Sequence, residues 1–211
     1  MKDRELKPRK APQQDRSKET VEAVFEAMFQ MLQRGEVQDP SMQAIADRAG
    51  VSVGSVYQYF PSKPALVNAM LGFHLRKQMD ALERSLEASS GLGPHEAARV
   101  LVDAVVDDKR RRTALERGLL RYFLRAGDLL SLTQCDERMT AAVQRFLEAL
   151  GPQVRQTDLG MAAFIISNAL RAAVLLALAQ CPERLDDPRF KTELVQLVVG
   201  YLEPPASPPK T

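Results

Sequence analysis

Residues 41–63 read SMQAIADRAGVSVGSVYQYFPSK, and this stretch decides the fold. Ser41 and Ser52 each stand before a short segment of helical character, where a serine hydroxyl accepts a hydrogen bond from an unpaired backbone N–H of the first turn. Gly50 lies between the two segments, where a tight turn needs a positive φ angle that glycine adopts without strain. The pattern predicts two short helices joined by a glycine turn, as in a helix-turn-helix.

The side chains of this stretch divide into an inward and an outward set. Ala46 is small enough to lie where the two helices cross. The expected inward face consists of Ile45, Ala49, Val51 and Val56. The outward set carries hydrogen-bond donors, a methyl-bearing side chain, a glycine that permits close approach and two phenols, which suits a DNA major groove and its phosphates. The candidate DNA-binding residues are Ser41, Gln43, Ser52, Val53, Gly54, Ser55, Tyr57, Gln58, Tyr59 and Lys63.

Four of these candidates have a specific expected role. Tyr57, Tyr59 and Lys63 lie at the end of a capped helix, where their side chains are expected to donate to phosphate oxygens. Val53 either touches a thymine methyl group or is only partly exposed. For the two tyrosines and the lysine, the alternative is an ordinary solvent-facing surface.

Residues 16–70 resemble the DNA-binding domain of the tetracycline-repressor (TetR) family of bacterial transcriptional regulators. The resemblance is clearest in residues 45–66, IADRAGVSVGSVYQYFPSKPAL. Ser41 stands where the family usually has threonine, and Pro64 stands where it has glutamate. Both departures are mild, because serine caps helices well and proline is favoured in a first helical turn. The resemblance implies a homodimeric repressor of a palindromic double-stranded operator, relieved or triggered by a largely apolar small-molecule effector.

Composition and periodicity predict the fold class. The chain has 211 residues, of which 45% are hydrophobic, and this is ample for a packed core without any cofactor. Apolar residues recur at helical spacing through most of the chain, which predicts an all-α protein. A net charge of +2 excludes a polycation that coats nucleic acid indiscriminately. The expected helices lie at about 17–34, 41–49, 52–58, 62–88, 95–107, 111–126, 128–150, 158–180 and 188–203.

Four segments are expected along the chain. They are a basic flexible arm at 1–16, a three-helix DNA-binding domain at 17–71, a helical ligand-binding and dimerisation domain at 72–203, and a disordered tail at 204–211. The arm is either a solubilising tail or an extension that touches phosphates or a minor groove. The helix that starts at Ser62 is long enough to belong to both domains, so a change in the second domain can move the first.

An apolar run at residues 159–179 is about long enough to span a bilayer. Arg171 near its centre argues against insertion, because a central arginine costs ~2.5–3.5 kcal/mol on insertion scales. In a soluble protein, a helix that is apolar nearly all round is buried on several sides. The last two helices are therefore expected to form a four-helix seam with a partner copy, and no membrane contact is expected. The expected seam residues are Leu175, Leu194, Leu197, Val198 and Tyr201.

The second domain offers weaker evidence for an effector site. Phe123, Met139 and Phe164 are candidates for an apolar ligand wall, although such residues at helical spacing are often ordinary core. Asn168 and Arg171 are polar on a face that otherwise avoids water. They either satisfy each other or a partner chain, or they bind the polar group of a ligand.

The main alternative to a DNA-binding regulator is an enzyme, and the sequence argues against it. His74 and His95 lack metal-ligand spacing, and the chain has no nucleophile motif and no phosphate-binding loop. Cys135 and Cys181 are far apart and are expected to be reduced thiols of a cytoplasmic protein, since residues 1–18 lack the apolar segment of a signal peptide. The remaining alternatives are a helical interaction module and a redox-responsive regulator without a small-molecule pocket.

Overall fold

The structure, a computed structural model, describes residues 15–34, 39–89, 91–126 and 129–202, and their side chains except at 15–16 and 122–136. These residues form α-helices and two short 3-10 turns, with no β-strand among them, which confirms the all-α prediction. The helices are α1 (Asp15–Gln33), α2 (Met42–Ala49), α3 (Val53–Tyr59), α4 (Lys63–Glu87), α5 (Pro94–Arg111), α6 (Thr113–Ala126), α7 (Leu129–Leu150), α8 (Leu159–Gln180) and α9 (Pro188–Leu202). The tail at 204–211 and most of the arm at 1–16 lie outside the described residues.

Helix α5 departs most from its predicted bounds. The sequence predicts an end near residue 107, whereas α5 continues to Arg111. Its last turn carries Lys109, Arg110 and Arg111, and cations there interact favourably with the carbonyl end of the helix dipole. The basic run therefore extends the helix instead of ending it.

The chain divides into two compact units, Met1–Leu75 with Arg112–Ser131, and Arg76–Arg111 with Leu132–Thr211. Helix α4 contributes its first half to one unit and its second half to the other. Helix α6 packs with the N-terminal unit, although the sequence groups it with residues 72–203. The reason is the apolar face of α6, whose Leu115 and Leu119 join the core of the N-terminal helices.

The core of the N-terminal unit explains how α2 and α3 are held. Helix α1 presents an apolar stripe that packs against both of them. The rings of Phe25 and Phe60 lie 5.6 Å apart, which joins α1 to the residue that ends α3. The buried members from α1 to α4 include Val24, Phe25, Met28, Leu32, Ile45, Ala46, Val56, Phe60, Leu66 and Met70.

A buried polar pair lies within the same unit. His74 Nε2 of α4 is 2.8 Å from Glu116 Oε1 of α6, and both side chains are buried. The ring of Phe29 lies 5.4 Å from the His74 ring, so α1 covers the pair. Since buried polar groups are stable only when hydrogen-bonded, this contact fixes α6 to the first half of α4.

Ion pairs and apolar packing together join the helices of the second unit. Helix α5 packs against α8 and α9. Lys191 Nζ of α9 lies 2.6 Å from Asp103 Oδ1 of α5. Arg138 of α7 donates to Asp80 and Glu83 of α4, and these hydrogen bonds raise the pKa of its guanidinium. The second half of α4 is therefore fixed to α7 by charge as well as by packing.

Helix α8 has 22 residues and contains an apolar window of 18 residues with a mean hydropathy of 2.0, which is enough to cross a membrane by length and composition alone. Only 44% of the apolar window is buried within the chain. Buried residues such as Ile166 and Leu170 alternate around the helix with exposed ones such as Phe164 and Leu176. The helix thus serves the core with one face and leaves another apolar face uncovered.

Candidate nucleic-acid interface

The turn between α2 and α3 has the geometry that the sequence predicts. Gly50 adopts a φ of 69°, in the left-handed region. The N–H of Gly50 donates to the carbonyl of Asp47 at 3.2 Å, and that of Val51 donates to the carbonyl of Ala46 at 3.0 Å. These bonds satisfy the last carbonyls of α2 and turn the chain sharply into α3.

Both predicted serine caps are confirmed. The Ser41 hydroxyl accepts from the N–H of Ala44 at 3.1 Å, and the Ser52 hydroxyl accepts from the N–H of Ser55 at 3.0 Å. The hydroxyls of Ser52 and Ser55 also lie 2.8 Å apart. Ser41 and Ser52 therefore act as the N-caps of the two helices, and a role of either residue in DNA contact remains a prediction.

Burial separates the inward and outward sides of α3. Val56 is fully buried, while Tyr57 is 46% exposed and Gln58 and Gly54 also face solvent. Tyr59 is half-buried and packs against the core, with its ring 6.4 Å from that of Phe60. The open side of α3 is consequently narrower than the sequence suggests and centres on Gly54, Tyr57 and Gln58.

Two candidate DNA-binding side chains donate hydrogen bonds to acidic residues that the sequence pattern does not point to. Gln43 Nε2 donates to Asp47 Oδ1 at 2.7 Å, and Lys63 Nζ donates to Asp39 Oδ1 at 2.5 Å. The first pair is four residues apart on one helix, a spacing visible in the sequence. The second pair is separated by 24 residues, so only the fold brings it together.

Two family models match the chain. "Bacterial regulatory proteins, tetR family" matches residues 26–70, and "Tetracyclin repressor-like, C-terminal domain" matches residues 94–202, which is more than half of the chain. The chain belongs to the TetR family. It is a helix-turn-helix transcriptional regulator, as the resemblance of residues 16–70 implies.

Relatives and solved structures agree with this membership. The TetR-family chain is 29% identical over 160 residues to the transcriptional regulator BetI of Stenotrophomonas maltophilia, covering 73% of this chain and 81% of BetI. It is 25% identical over 183 residues to the repressor KstR of Mycobacterium tuberculosis, covering 87% and 82%.

A TetR-family regulator from Mesorhizobium loti has the same fold, with a TM-score of 0.68 at 18% identity over 90% of this chain and 100% of the other. Thermus thermophilus FadR, a repressor in complex with lauroyl-CoA, has a TM-score of 0.63 at 20% identity over 90% and 99%. At these identities the two structures support the fold alone.

The predicted effector residues of this TetR-family chain do not share one environment. Met139 is buried, whereas Phe164 is 55% exposed and so does not line an interior cavity. Arg171 donates to the Asn168 side chain at 2.6 Å, and Asn168 donates to the Phe164 carbonyl at 2.8 Å, so the two polar residues contact each other, and a role in ligand binding stays a prediction. The side chain of Phe123 lies outside the described residues.

A cleft of about 230 Å³ lies elsewhere in the second unit of this family member, between the end of α4 and α7. Its apolar wall is formed by Leu86, Ala142, Phe146, Ala149 and Leu150, and its polar edge by Glu83, Glu87, Ser89 and Arg145. None of the four predicted effector residues whose side chains the structure describes lines it. The carboxylate of Glu83 is already engaged, at 2.7 Å from Arg138 and 3.7 Å from Arg145.

The uncovered apolar face of the TetR-family chain lies on α8 and α9. Among the described residues, seven large hydrophobic side chains are exposed, and every one except Tyr57 is on these two helices. They are Met161, Phe164, Ile165, Leu175, Leu176 and Leu197. Leu175 and Leu197 are thus exposed as a seam requires, but Leu194 and Val198 are buried within the chain. For these two the prediction is corrected, because both side chains are buried in the core of their own chain.

The described part of the chain contains no cluster of three or more His, Cys, Asp or Glu side chains suited to a metal ion. Cys181 is a half-buried free thiol at the end of α8. The side chain of Cys135 lies outside the described residues, so a redox role for the two thiols stays a prediction.

Proposed function

We propose that this TetR-family regulator is a cytoplasmic repressor that binds a palindromic operator as a homodimer and is controlled by a small-molecule effector. The observation that carries the proposal is the capped helix pair α2–α3, whose glycine turn leaves an exposed polar face on α3. Residues 17–71 supply the DNA-binding function, and residues 72–203 supply dimerisation and effector binding, with α6 as a brace of the first part.

In the proposed complex, α3 enters the major groove with Gly54, Tyr57 and Gln58 towards DNA. Gly54 has no side chain, so the backbone can approach the groove closely. Tyr57 carries a phenol that donates to a phosphate oxygen, and Gln58 carries an amide suited to a base edge. Gln43 and Ser55 lie beside them and are assigned to sequence choice.

The homodimer is proposed to form through α8 and α9. A monomer rarely leaves six large apolar side chains exposed on two helices, and such patches mark protein interfaces. Two copies of this face produce a four-helix seam and place two recognition helices on one DNA duplex. Since a two-fold symmetric protein matches a two-fold symmetric site, the operator is expected to be palindromic.

The proposed effector binds in the second unit, and the cleft between α4 and α7 is the best-supported entrance. At about 230 Å³ it is smaller than the ~300–1,000 Å³ of drug-sized ligand sites, so a larger effector requires these helices to separate. Because α4 begins in the DNA-binding unit, such a movement would reach the recognition helix. An effector that binds more tightly when the DNA-binding units of the two protomers have one particular spacing changes the affinity for DNA. The change equals the difference between the effector's binding free energies for the two spacings, typically 1–3 kcal/mol.

Selection from a random duplex library tests the DNA-binding proposal. We expect enrichment of a palindrome whose half-sites are separated by about one helical turn or a multiple of it. Tyr57→Ala should weaken binding to every duplex alike, whereas Gln58→Ala should change the enriched sequence. Gln180→Ala, on an exposed residue at the end of α8, is the matched control. A library that shows no enrichment with the wild-type protein would refute the proposed function.

A further inference from the structure

Asp39 and Lys63 form an ion pair between the starts of two helices in the N-terminal unit. Asp39 precedes the buried Pro40 and the cap of α2, and Lys63 is the first residue of α4. The Nζ–Oδ1 distance is 2.5 Å. Both residues are therefore anchored by ordered backbone, and the lysine presents its ammonium group to a carboxylate within its own chain.

We infer that Asp39 competes with the DNA backbone for Lys63 and thereby sets how strongly this chain binds DNA. The inference rests on the proposed function and on the expectation from the sequence that Lys63, just beyond α3, donates to a phosphate oxygen. Asp39 acts only through the lysine, so it is a positioning residue and not itself a DNA contact.

The competition follows from counterion balance. A lysine that neutralises a phosphate normally releases a condensed cation from the DNA, and this release drives binding. To the extent that Asp39 keeps Lys63, the phosphate keeps its condensed cation. The net release is then smaller than one cation, and both DNA affinity and its salt dependence decrease.

The exposure of the two side chains indicates that Asp39 weakens the contact between Lys63 and a phosphate without preventing it. The side chain of Lys63 is 22% exposed and that of Asp39 is 57% exposed, and ion pairs so close to solvent are weak. A phosphate can therefore displace or share the lysine, so Asp39 lowers its contribution without abolishing it.

The Gln43–Asp47 pair supplies the matched comparison. Asp47 is an exposed carboxylate of the same unit, but it accepts from a neutral amide at 2.7 Å. Removing its charge changes the local potential and, within the part of the chain that the structure describes, releases no cationic side chain. Any effect special to Asp39 must therefore exceed that of Asp47 and must depend on Lys63.

The test is fluorescence anisotropy with a labelled 30-base-pair duplex of arbitrary sequence, between about 50 and 200 mM NaCl. The proteins are wild type, Asp39→Asn, Lys63→Gln and the double variant. We expect Asp39→Asn to bind the duplex about two- to fivefold more tightly for each DNA-binding unit that contacts it. The plot of log binding constant against log salt concentration should be steeper by up to ~0.9 for each such unit. In the Lys63→Gln background, the same change should have little effect.

Asp47→Asn should cause a smaller change that is equal in both Lys63 backgrounds, and Asp39→Glu should retain wild-type affinity and slope. Thermal unfolding of each variant checks that the fold persists. Unchanged affinity in Asp39→Asn, or a gain that persists without Lys63, would overturn the inference and leave the proposed function intact. If the wild-type protein does not bind this duplex in a salt-dependent way, the inference is overturned as well, whereas the proposed function stands or falls with enrichment of a palindrome from the library.

Discussion

Helices α3 and α8 both expose a surface, and the two surfaces are built from opposite chemistry. Around α2 and α3, Gln43, Ser55 and Lys63 already contact polar groups of their own chain. On α8, large apolar side chains such as Phe164 and Leu176 face solvent. Exposed polar pairs are worth less than about 1 kcal/mol, whereas fully burying one large apolar side chain is worth about 1.5–3 kcal/mol. The first surface therefore suits reversible exchange with DNA, and the second suits lasting association.

The largest expected effect breaks the α8 surface. Leu175→Glu places a charge in the proposed seam, and an uncompensated buried charge costs several kcal/mol, so the dimer should dissociate into folded monomers. Val198→Glu places the same charge in the core of one chain, and it should unfold the protein. Sedimentation with circular dichroism distinguishes the two outcomes. Gln180→Glu is the control, and a wild-type protein that is monomeric at micromolar concentration would contradict the seam.

The second prediction concerns the buried pair that fixes α6 to α4. Glu116→Ala removes the carboxylate that His74 contacts at 2.8 Å, which should lower the free energy of unfolding by about 1–3 kcal/mol. Glu116→Gln keeps a hydrogen-bonding group and should cost less. Urea unfolding at one fixed protein concentration measures both, since dimer stability varies with concentration. His95→Ala, at an exposed histidine, is the control, and an equal loss there would argue against a special role for the pair.

These two regions also show what sequence reasoning can and cannot provide. Ser41, Gly50 and Ser52 form caps and a turn with residues only a few positions away, so a short stretch of sequence is enough to predict their roles. Helix α8 is apolar on all sides, and the pattern alone does not decide which face is core. This is why the sequence makes Phe164 a candidate for a ligand wall, whereas its side chain lies on the surface of the chain. The His74–Glu116 and Asp39–Lys63 contacts join residues 42 and 24 positions apart, and only tertiary packing creates them.

The third prediction compares two glycines beside α3. Gly50 has a φ of 69°, and no atom of the described residues lies within 4 Å of an added methyl group, so Gly50→Ala forces alanine into a left-handed conformation without a steric clash there. We expect a loss of about 1–2 kcal/mol in unfolding free energy. Gly54 lies within α3 and an added methyl group approaches only Ser52 Oγ, at 3.8 Å. Gly54→Ala should therefore stabilise the fold by about 0.5–1 kcal/mol, yet weaken DNA binding. Thermal unfolding and anisotropy would show the opposite signs, and equal destabilisation by both changes would contradict the assignment.

The smallest expected effect lies at the cap of α2. Ser41→Ala removes the acceptor for the Ala44 N–H and should cost about 1 kcal/mol. Ser41→Thr keeps a hydroxyl in the same position, so the cost should be only a few tenths of a kcal/mol. Neither change touches α8, and sedimentation should therefore give wild-type dimers for both variants. Urea unfolding measures the two stabilities. If alanine and threonine lowered the stability equally, the hydroxyl would not be the cap. If either variant lost its dimer, the proposal that the polar surface near α3 and the apolar surface of α8 act independently would be contradicted.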